Sequence, residues 1–150
     1  MKNDVVEFVW FVLVLVLGAS LECVLPKLMG LGFPVLLAAV VPVAARRPLA
    51  GAVGFAVTAG LVEDSLSAIP LATSVAYFLL LTAAVRSEAG RPAVSALAYP
   101  LYQLWLWIWA AGSGGNVFSR FLLAFPVGFA TLAVTAAALA VLERKAALDG

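Results

Sequence analysis

The chain has 150 residues, of which 65% are hydrophobic and 11% are charged, with a mean hydropathy of +1.12. Soluble domains carry about 25% charged residues, so this composition excludes a soluble globule and indicates an integral membrane protein. Six helical crossings of about 20 residues each would use roughly 120 residues, which excludes an additional ectodomain or nucleotide-binding domain. The sequence has no histidine, a single cysteine and a net charge of +1, so nothing in it indicates a disulfide, a histidine proton relay or nucleic-acid binding.

Charged residues and prolines divide the sequence into six apolar segments. We predict an all-α six-helix transmembrane bundle that forms one domain over residues 1–150, with spans over 5–25, 28–45, 49–62, 69–85, 93–111 and 117–142. The second segment contains Pro34 and Pro42, and the third is short for a crossing. Neighbouring helices can shelter such interruptions. A re-entrant pair in place of these two spans is the alternative.

The distribution of basic residues favours six spans. Seven of the nine lysines and arginines fall on one side of such a topology and two on the other. This is the positive-inside pattern, so we expect a multi-pass protein with both termini in the cytoplasm. A re-entrant pair would bury two arginines in the bilayer at about 2.5–3.5 kcal/mol each. The predicted topology determinants are Arg46, Arg47, Arg86, Arg91, Arg144 and Lys145.

Three acidic residues, Glu22, Glu63 and Asp64, fall near predicted helix ends on the opposite, outer side. Carboxyl groups at membrane depth are costly, so each is a candidate for ligand or partner contact; helix capping or charge pairing is the structural alternative. Glu63 and Asp64 are adjacent and point about 100° apart on a helix, which argues against a shared ion. The sequence therefore predicts no catalytic residues, no cofactor and no metal site.

The third segment carries small residues at helical spacing. Ala52, Ala56, Gly60 and Asp64 recur every four residues and share one helix face. Ala50, Gly54 and Thr58 line the neighbouring face. Small residues allow close helix packing in membranes, so these faces are candidates for contact inside the bundle or with another membrane protein.

Aromatic residues crowd the second half of the fifth segment. Tyr102, Trp105 and Trp109 share one helix face, and Tyr99 lies nearby. An aromatic belt at the membrane interface explains this face. A stacking pocket for an aromatic ligand is the alternative.

The third and fourth segments resemble the MreD family, the small membrane subunit of the bacterial rod-shape machinery. A basic turn at residues 45–51 precedes a helix that is rich in small residues and ends at an acidic residue. A further turn contains Ser67, Pro70 and Leu71. The sequence departs from the family pattern at Ala56, Ala68 and Ala72, where glycine is usual.

The resemblance implies a non-catalytic scaffold in the bacterial inner membrane. MreD-like proteins act with MreC. The glycosyltransferase, the transpeptidase and the MreB filament of peptidoglycan elongation would be further partners, as would membrane lipids. We expect the face formed by Ala52, Ala56 and Gly60 to contact MreC.

MreD-like chains are similar in architecture to the substrate-binding subunits of energy-coupling-factor transporters. This second resemblance implies an alternative function as a vitamin-binding subunit. The aromatic fifth span and the outer carboxylates would then line a ligand pocket.

Overall fold

A computed structural model describes residues 2–29, 34–67, 70–87, 91–109 and 117–148. These residues form six α-helices, and no strand occurs among them: α1 (Lys2–Met29), α2 (Val35–Arg46), α3 (Leu49–Ser67), α4 (Thr73–Arg86), α5 (Arg91–Trp109) and α6 (Val117–Leu148). The prediction of an all-α chain with six helical segments is confirmed.

Three of the helices are long and apolar enough to cross a membrane. The qualifying segments are Asp4–Lys27 in α1, Leu49–Ser67 in α3 and Phe121–Lys145 in α6. The apolar helices α2 and α4 have 12 and 14 residues, so at about 1.5 Å per residue they are roughly 18 and 21 Å long. Each is shorter than a hydrocarbon core of about 30 Å.

Helix α2 lies at the centre of the bundle and packs against each of the other five helices. Every side chain from Leu36 to Ala44 is buried. Alanine and valine dominate this segment, so neighbouring helices can approach it closely. Phe55 of α3 and Phe78 of α4, both buried, belong to the same apolar core. The short helix is therefore the one around which the longer helices assemble.

The boundary between the first two helices differs from the prediction. Helix α1 continues through Pro26 to Met29, and α2 begins at Val35 rather than at residue 28. Pro34 therefore precedes α2, while Pro42 lies inside it. The sequence prediction treated Pro26 as a terminator, but a proline in a membrane helix is tolerated where neighbours satisfy the freed backbone groups. Residues 30–33 lie outside the described part of the chain.

The ends of the later helices also differ from the prediction. Helix α3 continues past Glu63 and Asp64 to Ser67, and α6 continues to Leu148 rather than 142. The predicted ends marked where apolar residues stop, whereas backbone hydrogen bonding continues into polar residues. Helix α4 begins at Thr73 instead of 69, and α5 begins at Arg91 instead of 93. Residues 69, 110 and 111 are not among those described.

The outer faces of the bundle are apolar. On α1, Phe8 is 67% exposed and Val6 65% exposed, and Val134 of α6 is 70% exposed. Within the described residues the backbones of α1 and α6 do not come within 8 Å of one another, and an apolar groove of about 540 Å³ lies between these helices over α2. Exposed apolar surface on this scale is what a lipid environment requires and a soluble monomer rarely presents.

Candidate functional site

Two carboxylates from long helices cap the N-termini of the short helices. The Leu36 backbone N–H donates to Oε1 of Glu22 at 2.6 Å, and the Ser74 backbone N–H donates to Oδ1 of Asp64 at 2.9 Å. The first N–H groups of a helix have no partner within the helix, and their partial positive charge favours an anion. Of the two interpretations that the sequence left open for these residues, the structure shows capping for both.

The need for these caps follows from the local sequence. The residue that precedes each short helix is Pro34 or Ala72, and neither side chain carries a hydrogen-bond acceptor. Polar N-cap residues normally satisfy a helix terminus, but here the acceptor comes from the preceding long helix. Each cap thus fastens one long helix to the short helix that follows it in the chain.

The turn between α3 and α4 uses the residues that carry the family resemblance. Ser67 ends α3, and the Pro70 carbonyl accepts hydrogen bonds from the Thr73 N–H at 3.2 Å and the Thr73 hydroxyl at 2.8 Å. Leu71 is exposed. Ala72 has φ 74°, a left-handed conformation that glycine adopts without strain and alanine does not. Ala68 lies outside the described residues.

The stripe of small residues on α3 is buried inside the bundle. Ala52 and Ala56 have 1% and 0% exposure, and Gly60 is also buried. A Cβ at Gly60 would lie 2.6 Å from Cα of Val75, so the backbones of α3 and α4 are in contact there. The face that we expected to contact MreC is therefore buried within the chain, with α4 packed against it at Gly60. The neighbouring face, at Ala50, Gly54 and Thr58, is exposed.

The predicted aromatic belt is only partly an interface feature. Tyr102 is 3% exposed, and its hydroxyl lies 2.6 Å from Oγ of Ser74. Trp105 donates its indole N–H to the Thr73 carbonyl at 3.0 Å. Both side chains therefore fasten α5 to the start of α4 and do not form a free membrane-facing belt. The side chain of Trp109 is outside the described part of the chain.

A polar cavity of about 270 Å³ lies beside these caps, between α1, α3 and α5. The Glu22 and Glu63 carboxyl groups adjoin one another at its wall. Oε1 of Glu63 accepts a hydrogen bond from the Ser67 hydroxyl at 3.2 Å, and the carboxyl groups of Glu22 and Glu63 hydrogen-bond to one another. Tyr99, Tyr102 and Gln103 of α5 line the opposite side. This cavity is the candidate functional site.

The structure separates the predicted acidic cluster into two parts. Glu22 and Glu63 meet at the cavity, whereas Asp64 is 2% exposed and turns towards Ser74 of α4. Adjacent residues on a helix point about 100° apart, which is the reason for the division. Oδ2 of Asp64 is buried without a hydrogen-bond partner. Among the described residues, no group of three acidic, histidine or cysteine side chains is arranged to hold a metal ion.

The opposite end of the bundle holds an arginine cluster. The Arg47 guanidinium lies 4.5 Å from the centre of the Trp10 ring and 3.5 Å from Oε1 of Glu7, and Arg46 pairs with Glu143 at 2.9 Å. Arg86 donates to the carbonyls of Ala44 and Arg47 at 3.1 and 2.9 Å, and so caps the C-terminus of α2.

The predicted topology determinants therefore have different surroundings. Arg46, Arg47 and Arg86 also connect α1, α2, α4 and α6 at this end of the bundle. Arg144 and Lys145 are exposed on α6. The side chain of Arg91 is not described.

Sequence reasoning missed Ser74 and Gln103. Neither is part of a recognisable motif, and each becomes relevant only because α4 and α5 place it beside the carboxyl groups. A polar residue inside an apolar helix is the one signal that could have drawn attention to Gln103.

No protein-family profile matches the chain, and no curated protein or solved structure is similar to it. The geometry of the site is therefore the direct guide to its chemistry. Two adjoining carboxyl groups that hydrogen-bond to one another can also accept hydrogen bonds from a ligand.

Proposed function

We propose that the chain is a six-span protein of a bacterial cytoplasmic membrane, with both termini in the cytoplasm. In this proposal it is a non-catalytic scaffold of the cell-shape and peptidoglycan-elongation machinery, as the resemblance to MreD implies. Its direct partner would be MreC, and the glycosyltransferase, the transpeptidase and MreB would join through the same complex.

The observation that supports this proposal best is the backbone at Ala72. The MreD-like pattern usually has glycine at this position, and here alanine has φ 74°. Glycine is the residue favoured at a position with a left-handed backbone conformation. Gly60 and Asp64, which belong to the same motif, set the close approach of α3 to α4 and cap α4. The motif residues therefore share one structural task, the construction of the α3–α4 hairpin.

The burial of the Gly60 face changes the partner surface that we propose. The exposed face of α3 contains Ala50, Gly54 and Thr58, and a Cβ at Gly54 would meet no atom within 4 Å. Small residues on an exposed helix face let a second helix approach closely in lipid. We therefore assign this face to the single membrane helix of MreC.

Replacement of Gly54 by leucine tests this assignment. The added side chain meets no other part of this chain, but it would hold a docked MreC helix away from α3. Recovery of MreC with the affinity-tagged variant from membranes should therefore fall at least tenfold. Ala137→Leu, at an exposed position on α6, is the matched control and should leave recovery unchanged. Normal MreC recovery with a folded Gly54→Leu protein would refute the assigned face.

The polar cavity favours a second candidate function, the binding subunit of an energy-coupling-factor transporter. Carboxyl, tyrosine and amide groups around about 270 Å³ are the few convergent polar groups that a small-molecule site needs. Affinity purification from native membranes discriminates between the two functions. Recovery of MreC supports the scaffold, whereas recovery of an ATPase and a coupling subunit supports the transporter.

A further inference from the structure

The cavity is large enough for a small ligand and lies at one end of the bundle. Its volume of about 270 Å³ corresponds to roughly nine water molecules at about 30 Å³ each. Glu22, on its wall, is 15 residues along α1 from Glu7, which contacts the arginine cluster. At about 1.5 Å per residue the cavity and the cluster are roughly 22 Å apart along this helix. The arginine cluster is therefore too distant to neutralise the carboxyl groups of the cavity.

Within the part of the chain that the structure describes, the carboxyl groups of the cavity form no ion pair. Glu22 and Glu63 adjoin one another, and no described lysine or arginine side chain pairs with either of them. One Glu22 oxygen is engaged by the Leu36 amide, and the Glu22 and Glu63 carboxyl groups hydrogen-bond to one another, which requires a shared proton. Two acidic groups in one site disfavour each other's ionisation, so a ligand that brings both donors and positive charge can replace the shared proton.

The rest of the lining indicates which cation fits. Tyr99 and Tyr102 line the cavity, and aromatic rings attract organic cations. An ammonium group carries three donors, which two adjoining carboxyl groups can accept. Calcium requires six to eight oxygen ligands, more than these two carboxyl groups readily supply.

We propose that this cavity binds a primary ammonium group, with Glu22 and Glu63 as counter-charge and acceptors and Tyr99 and Tyr102 as aromatic walls. The ammonium group belongs either to a free amine or to the headgroup of phosphatidylethanolamine, which share this chemistry. Ammonium binding does not depend on the scaffold role. A failure to bind amines and a failure to recover MreC would therefore each refute one proposal and leave the other unaffected.

The test uses the full-length protein in nanodiscs of phosphatidylcholine, which has no primary ammonium group. Benzylamine is the probe, and benzyl alcohol is its uncharged counterpart of similar size. Isothermal titration should show benzylamine binding at least tenfold more tightly than benzyl alcohol. Glu63→Gln should weaken benzylamine binding at least tenfold, because Glu63 caps no helix. Glu143→Gln, at the opposite end, is the matched control and should bind normally.

A second variant keeps the test decisive if Glu63→Gln does not fold. Ser67→Phe adds a ring at an exposed residue that lines the cavity, and it should abolish benzylamine binding. Equal affinities for benzylamine and benzyl alcohol, or unchanged benzylamine binding in a folded Glu63→Gln or Ser67→Phe protein, overturn the proposal.

The lipid composition of the nanodiscs identifies the source of the ammonium group. If the headgroup of phosphatidylethanolamine occupies the cavity, nanodiscs that contain this lipid should lower the apparent affinity for benzylamine at least fivefold. An unchanged affinity supports a free amine as the ligand. Both results support ammonium binding, and they differ only in whether the ammonium group comes from a lipid headgroup or from a free amine.

Discussion

Glu22 and Asp64 occupy corresponding places in two helical hairpins. Each lies in the last two turns of a long helix, and each accepts a hydrogen bond from the second residue of the short helix that follows. In lipid an unsatisfied backbone N–H costs several kcal/mol, so a carboxylate at this position has a structural reason to be there. Glu63 has no such task, and this difference singles it out as the residue available to a ligand.

Ala72 offers a test of backbone strain at the scale of one residue. Its φ of 74° costs alanine about 1–2 kcal/mol, whereas glycine adopts this conformation freely. Since glycine also loses more conformational entropy on folding, Ala72→Gly should raise the free energy of unfolding by about 0.5–1 kcal/mol. Denaturation of the detergent-solubilised protein, followed by circular dichroism, measures the change.

The same substitution at Ala76 provides the control. Ala76 is exposed inside α4, where glycine costs about 1 kcal/mol relative to alanine, so Ala76→Gly should destabilise the protein. Destabilisation by Ala72→Gly of the same size as by Ala76→Gly would contradict the strain argument.

At the scale of helices, α3 presents small residues on two neighbouring faces with different surroundings. The face that contains Gly60 packs against α4, while the face that contains Gly54 is open, since a methyl group added at that glycine would meet no other atom within 4 Å. Spacing along the sequence makes both faces equally suitable for close packing. The direction that the chain takes after the turn at Pro70 decides which of the two faces packs against α4.

Gly60→Ala and Gly54→Ala form a matched pair that measures this difference. A methyl group at Gly60 would lie 2.6 Å from the α4 backbone, and such overpacking should lower the free energy of unfolding by about 1–3 kcal/mol. A methyl group at Gly54 meets open space, so the gain in helix propensity should stabilise the protein by about 0.5–1 kcal/mol. Equal effects in detergent unfolding experiments would contradict the observed packing of α3.

At the scale of the whole molecule, the two ends of the bundle differ in charge and in construction. One end joins α1, α2, α4 and α6 through Arg46, Arg47 and Arg86, and the other holds the carboxylate caps and the polar cavity. The proposed topology puts the arginine end in the cytoplasm, in accordance with the positive-inside rule.

Cysteine labelling in intact cells tests this topology. In a Cys23→Ser background, Leu71→Cys should react with a membrane-impermeant maleimide from outside, because Leu71 is exposed at the α3–α4 turn. Lys145→Cys, exposed near the end of α6, should react only after permeabilisation. Labelling of both positions from the same side would contradict the six-span arrangement.

The sequence by itself determined the apolar, all-helical character of the chain and the number of helices among its described residues. These properties can be predicted because each residue contributes its own free energy of transfer between water and lipid, whatever its neighbours in the fold. The helix ends could not be placed in this way, since α3 and α6 continue into charged residues that end only the apolar run. The contacts of Ser74, Gln103 and the Gly60 face could not be predicted from the sequence either.

Only the tertiary structure brought Glu22 and Glu63 together, turned Asp64 towards α4 and buried Tyr102 beside them. These residues lie on three helices, α1, α3 and α5, and their contacts follow from the order in which the helices pack around α2. Helical spacing fixes which residues share a face, but it carries no information about which neighbour covers that face. The candidate site is therefore a product of packing, while the apolar character of the helices is a product of composition.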